Sequence, residues 1–128
     1  MKFHHVALPC RSIEDGIEYL RAIYSLAEVG EPVLDDAQNA TVCLVETNDG
    51  MTFELVSGPV VESFLRRGIA YYHLCFEVAD LGQEIARLQS NGAMLISDRK
   101  PAPLFDGREV AFLNTKTGLI ELLEARKT

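Results

Sequence analysis

Four side chains in this sequence have the types and the spacing of a metal-ligand set: His5, Glu54, His73 and Glu121. Two imidazoles and two carboxylates make a mixed nitrogen–oxygen donor set, which suits Zn, Ni, Co, Mn or Fe without choosing among them. The spacing occurs twice. Glu54 follows His5 by 49 positions (54 − 5), and Glu121 follows His73 by 48 (121 − 73). Each glutamate interrupts an apolar run, Phe53-Glu54-Leu55-Val56 and Ile120-Glu121-Leu122-Leu123. An ionised carboxylate on a largely buried strand is costly unless a cation meets it. A lone strand histidine is more often structural, and a lone glutamate often pairs with Arg or Lys or lies at a solvated edge. Two of each, placed alike, favour a shared divalent ion.

The elements that would carry these residues are themselves duplicated. His5-Val6-Ala7-Leu8-Pro9-Cys10-Arg11-Ser12-Ile13 and His73-Leu74-Cys75-Phe76-Glu77-Val78-Ala79-Asp80-Leu81 share one pattern at an offset of 68 (73 − 5). The offset continues: Ile17 falls on Ile85, Leu20 on Leu88, Val42-Cys43-Leu44-Val45 on Val110-Ala111-Phe112-Leu113, and Gly50 on Gly118. Such self-similarity means one supersecondary unit used twice. Alternation over Phe3–Cys10 predicts a half-buried strand with Val6 and Leu8 on one face and His5 on the other. Ser12 and Asp80 are helix caps; helices are predicted from there to about Leu26 and to Asn91-Gly92. Three strands follow each helix, near 26–29, 40–45 and 51–56, then near 94–96, 110–113 and 119–123. Thr47–Gly50 and Thr115–Gly118 read as hairpin turns. Pro59–Arg67 reads as a short helix with Gly68 as its stop. The reading is an α+β domain of two βαβββ repeats: repeat 1 over about 1–57, a helical linker over about 58–68, and repeat 2 over about 69–128. Pseudo-twofold packing of the repeats would gather the four ligands around one point.

Bulk properties narrow the classes. The chain has 128 residues, 48% of them apolar, enough for one domain with a real core. A formal charge of −7 without a basic stripe argues against nucleic acid. For an anionic ligand, Arg66-Arg67 and Lys100 are the local candidates. No apolar run reaches the roughly 20 residues of a membrane span. The opening Met1-Lys2-Phe3-His4-His5 lacks a signal core. Cys10, Cys43 and Cys75 lie in apolar runs as reduced thiols. A cytoplasmic protein without disulfides is expected.

At His4-His5-Val6-Ala7-Leu8, Phe53–Val56, Gly68–Val78, Gly107–Leu113 and Gly118–Leu122 the sequence resembles the vicinal oxygen chelate (glyoxalase, bleomycin resistance, dioxygenase) superfamily, over nearly the whole chain. Glyoxalase I and methylmalonyl-CoA epimerase are among its members. The resemblance implies a curved, cup-like mixed sheet, one divalent metal ion on His5, Glu54, His73 and Glu121, and a small-molecule substrate such as an acyl-CoA or a glutathione thiohemiacetal. The stretch from Gly58 to Gly68 is similar to the epimerase branch. Val42 stands where some epimerases carry an additional acidic residue.

The chemistry that follows is removal of a proton α to a carbonyl, with the ion acting as a Lewis acid on the enediolate or enolate charge. Glu121 is the candidate base and Glu54 the second acid/base. Return of the proton to the neighbouring carbon is isomerisation, as in a lactoylglutathione lyase; return to the same carbon from the other face is epimerisation. The same residues serve both. Alternatives are another metalloenzyme of the fold (a dioxygenase or thiol transferase) or a metal-free binder, and the fourth ligand counts against each. Cys75 and Glu77 share a face with His73, Tyr71 and Tyr72 could gate the mouth, and Pro101–Phe105 could cover it. The repeat pattern suits a cavity closed within one chain or across a homodimer.

Overall fold

The computed structural model describes residues 1–127. The chain divides into two compact units, residues 5–72 and residues 1–4 with 73 onward. The first contains β1 (Lys2–Pro9) from His5 onward, α1 (Ile13–Ile23), β2 (Leu26–Val29), β3 (Val33–Asp35), β4 (Ala40–Thr47), β5 (Thr52–Ser57) and, after a 3-10 turn at Pro59–Val61, α2 (Glu62–Arg66). Its strand order is β2-β4-β5-β1, with β3 paired on β4. The second contains β6 (His73–Val78), α3 (Leu81–Ser90), β7 (Met94–Pro101), a 3-10 turn at Pro103–Phe105, β8 (Glu109–Thr115) and β9 (Gly118–Glu124), in the order β6-β9-β8-β7.

Both long helices start where the caps place them. The Asp15 N–H donates to Ser12 Oγ at 3.1 Å and the Gln83 N–H to Asp80 Oδ1 at 3.0 Å, each satisfying a backbone donor of the first turn. α1 is shorter than its apolar spacing suggests. It stops at Ile23, and Tyr24 is already extended, which frees Leu26 to begin β2 on β4. Gly50 and Gly118 hold φ of 90° and 108°, the left-handed region that closes the two hairpins without a Cβ penalty.

Each unit has its own apolar core between helix and sheet. In the first, Ile13 and Leu20 of α1 meet Val6, Cys10, Cys43, Val45, Phe53 and Leu55. In the second, Leu81 and Ile85 of α3 meet Val78, Ala111, Leu113, Ile120 and Leu122. Each Val, Leu, Ile or Phe side chain among them contributes roughly 1.5–3 kcal/mol by leaving water. α1 approaches β5 closely: a Cβ on Gly16 would sit 2.8 Å from Leu55 Cδ2.

The sequence reading missed β3. Val33-Leu34-Asp35 is too short to show a period, and it is held as a strand by pairing with Thr41 and its neighbours on β4. Strands β4, β7 and β8 also run further than their apolar runs, because ladder hydrogen bonds carry them out to polar hairpin ends. No helix among the described residues is long and apolar enough to cross a membrane.

Candidate functional site

The cores decide where the ligand candidates point. Val6 packs with α1, so strand alternation turns His5 and Ala7 to the opposite face; Phe53 and Leu55 do the same for Glu54. In the second unit Val78 and Phe76 pack with α3 and leave His73, Cys75 and Glu77 on the other face, while Ile120 and Leu122 leave Glu121 there. Within each unit the histidine strand and the glutamate strand are parallel neighbours. The Cα partner of Glu54 is Ala7 and that of Glu121 is Cys75, in both cases the residue two beyond the histidine. Equivalent registers thus set each carboxylate the same step past its imidazole.

The resulting contacts are direct. His5 Nε2 lies 3.4 Å from Glu54 Oε1, and His73 Nε2 lies 3.0 Å from Glu121 Oε1. All four residues are buried, His5 fully and the others at 4% exposure or less. The His73 ring is braced by Phe112, 5.2 Å away at 78°, and Phe112 is also the cross-strand partner of Glu121. Burial lowers the local dielectric and strengthens any charge held there. A buried imidazole touching a carboxylate can share a proton with it, and both atoms in contact are metal-ligand types.

Around these pairs the remaining candidates separate. Cys75 is fully buried, with Cα paired to that of Glu121. Glu77 accepts a hydrogen bond from Arg108 Nη1 at 2.9 Å, and that bond, helped by the charges of His4, Arg108 and Lys2, holds its carboxyl below the usual range despite burial. Tyr71 is exposed, whereas Tyr72 packs edge-on against Phe64 and donates its N–H to the Ala7 carbonyl. His4 is half-buried with its ring edge-on to Phe105. Pro103–Phe105 is a 3-10 turn with Phe105 buried. Arg66 and Arg67 are exposed near the end of α2, Lys100 sits on β7, and Val42 is buried in β4. Burial pushes the Cys10 thiol up to about 11 and that of Cys43 upward as well, so these two are inert core groups.

Two contributors escaped the sequence reading. Arg108 is half-buried and held by its contacts with Glu77, the Glu124 carbonyl at 3.2 Å and the Phe105 ring, an arrangement that only a folded turn at Asp106-Gly107 creates. Phe112 belongs to the strand run Val110–Leu113, and its place opposite Glu121 follows from the hairpin register at Thr115–Gly118.

With this geometry in hand the chain can be set beside known proteins. The sequence model of the Glyoxalase/Bleomycin resistance protein/Dioxygenase superfamily matches residues 4–112. An ethylmalonyl-CoA/methylmalonyl-CoA epimerase of Cereibacter sphaeroides is 28% identical over 120 residues, spanning 90% of this chain and 89% of the relative. Among solved structures, a methylmalonyl-CoA epimerase from Mycobacterium tuberculosis superposes with a TM-score of 0.80 at 19% identity, over 98% of this chain and 89% of that one. A Streptomyces coelicolor methylmalonyl-CoA epimerase in complex with 2-nitronate-propionyl-CoA gives 0.78 at 19% identity, over 98% and 94%. At these identities the structural likeness establishes the α+β, glyoxalase-like fold.

Proposed function

We propose, for a chain that belongs to the Glyoxalase/Bleomycin resistance protein/Dioxygenase superfamily, that His5, Glu54, His73 and Glu121 act as one ligand set for a divalent ion and that the protein is an isomerase or epimerase moving a proton α to a carbonyl. The observation that carries this is the repeated buried imidazole–carboxylate contact, at 3.4 Å and 3.0 Å in the two units. A purely structural carboxylate inside an apolar strand costs several kcal/mol after relaxation. Two such groups at equivalent registers favour a function that needs them. The donor set fits a divalent ion of the Zn, Ni, Co, Mn or Fe kind: neutral imidazole nitrogen and carboxylate oxygen are ligands all of these accept.

When bound, such an ion supplies Lewis-acid polarisation of a carbonyl oxygen. The chain's residues do the rest. Glu121, held on β9 between two core residues, is the base that takes the α proton. Glu54 is the acid/base for the opposite side. His73, braced by Phe112, keeps Glu121 in position through the 3.0 Å contact. Burial keeps bulk water from competing for the proton.

The named relatives act on acyl-CoA thioesters, and we take an acyl-CoA as the substrate class, with a glutathione thiohemiacetal as the second choice. A cytoplasmic location with reduced thiols belongs to the same reading. The test is elemental analysis of purified protein, followed by incubation of metal-loaded enzyme with acyl-CoA thioesters or 2-oxo thiohemiacetals in deuterated water. Deuterium entering the α position, lost on chelation, supports the proposal. A protein that takes up metal yet exchanges no α proton with either class would move it to the dioxygenase or binder branch.

A further inference from the structure

A groove of about 440 Å³ opens on the second unit, lined by Phe105–Arg108 from the loop before β8 and by Glu124–Lys127 from the end of β9 onward. Nothing in the proposed proton transfer uses it. Its lining concentrates three of the chain's twelve Lys and Arg residues, Arg108, Arg126 and Lys127, in a protein of net charge −7. Arg126 and Lys127 are exposed. Arg108 is fixed instead: both of its hydrogen bonds among the described residues leave from Nη1, to Glu77 Oε2 and to the Glu124 carbonyl, and its guanidinium lies 5.6 Å from the Phe105 ring centre. One nitrogen anchors it, and the residue forms part of the groove's lining. Asp106 and Glu124 line the same space, and Glu77 offsets Arg108. The groove is therefore mixed in charge. It matches a ligand that carries phosphates together with an amino group better than it matches a simple anion.

The position suggests which ligand. Glu77, the anchor of Arg108, shares a strand face with His73 four residues earlier, about 13 Å away at roughly 3.3 Å per residue. A substrate whose reacting carbonyl sits by His73 and Glu121 would need an extended arm to reach the groove, and a thioester on a pantetheine arm has one. We propose that this groove holds the adenine-nucleotide phosphate end of an acyl-CoA, with Arg108, Arg126 and Lys127 on the phosphates and Asp106 or Glu124 accepting from the adenine amino group. The inference rests on the acyl-CoA reading of the substrate and adds the part of the protein that recognises its tail.

The experiment measures binding without turnover. Unesterified coenzyme A, pantetheine and inorganic phosphate are titrated calorimetrically into wild type and into the surface variant R126E/K127E. Coenzyme A should bind wild type at least about tenfold tighter than pantetheine or phosphate does, should weaken as salt rises, and should lose about tenfold in the variant. In steady state the variant should raise KM for the acyl-CoA while leaving kcat, and the kinetics of the acyl-pantetheine, unchanged. Equal binding of coenzyme A and pantetheine, or indifference of coenzyme A binding to the double reversal, overturns the groove assignment. A protein that exchanges α protons on acyl-CoA but shows that indifference sinks this inference alone. One that binds coenzyme A through the groove and exchanges nothing sinks the catalytic reading alone.

Discussion

Replacing Glu121 by Gln separates a metal ligand from a structural carboxylate, because the exchange keeps size and hydrogen-bonding capacity and removes the charge. In metal-free protein two effects oppose each other. The 3.0 Å contact to His73 Nε2 becomes a neutral hydrogen bond, a loss of about 1 kcal/mol at most. Relief of a carboxylate that is only 1% exposed, most of whose burial cost the His73 contact already offsets, returns a similar amount, about 1 kcal/mol. The metal-free melting temperature should therefore move by no more than about 4 °C in either direction.

Metal-loaded protein behaves differently. An ion present at a thousand times its Kd stabilises the folded state by about 4 kcal/mol. Outer-shell partners alone are worth about 10–100-fold in metal affinity, so turning a ligand into a neutral amide is set at about 100-fold. The residual stabilisation is then about 1.4 kcal/mol, a loss near 2.7 kcal/mol, or roughly 10 °C for a domain of this size. The assay is a pair of thermal melts, with chelator and with a fixed excess of Zn or Ni, for wild type, Glu121→Gln and Glu54→Gln. An equal shift of the variants with and without metal, or a wild type whose melt ignores metal, would show these carboxylates to be structural.

Further outcomes follow from other parts of the fold. Glu77 is held ionised by Arg108, its folded pKa lying below the ordinary 4.5, so its stabilising effect is complete above that value and lost as pH falls through the folded one; Glu77→Gln should lower stability at neutral pH and flatten the acid limb of a stability–pH curve, so that wild type and variant converge in acid, and an unaltered limb would contradict the pairing. Cys10, raised from 9.0 to about 11 by burial, contributes stability that is present below pH 9 and is lost as pH rises toward 11. Its reaction with a thiol reagent at pH 8 should therefore wait for unfolding, and rapid labelling of folded protein would argue against it. Gly16→Ala gains about 1 kcal/mol of helix propensity but drives a methyl to within 2.8 Å of the buried Leu55, an overpacking that costs about 1–3 kcal/mol. A denaturant melt should show a net loss of about 1 kcal/mol, and a stabilised variant would mean that Leu55 repacks without strain.

The fold was legible because its signals are local and occur twice. Ser12 and Asp80 announce helices, Gly50 and Gly118 close hairpins, and apolar alternation sets Val6 and Leu122 against helices. From that alternation the facing of each histidine and glutamate within its own unit follows without coordinates. What stayed hidden depends on register or on a single loop. β3 has three residues and no pattern of its own, and becomes a strand only because Val42 offers a partner to Val33. The groove on the second unit is lined not by Arg66, Arg67 or Lys100, which charge clustering and position suggested, but by Arg108 and, 18 residues later (126 − 108), the adjacent Arg126 and Lys127. Strand period reports which face a side chain takes; it carries no information about which turn folds back beside which strand end. The proposed ligand pairs sit on period, buried in the sheet, and the groove lies past the end of β9, so a sequence of this kind discloses a candidate chemistry more readily than the molecule on which it would act.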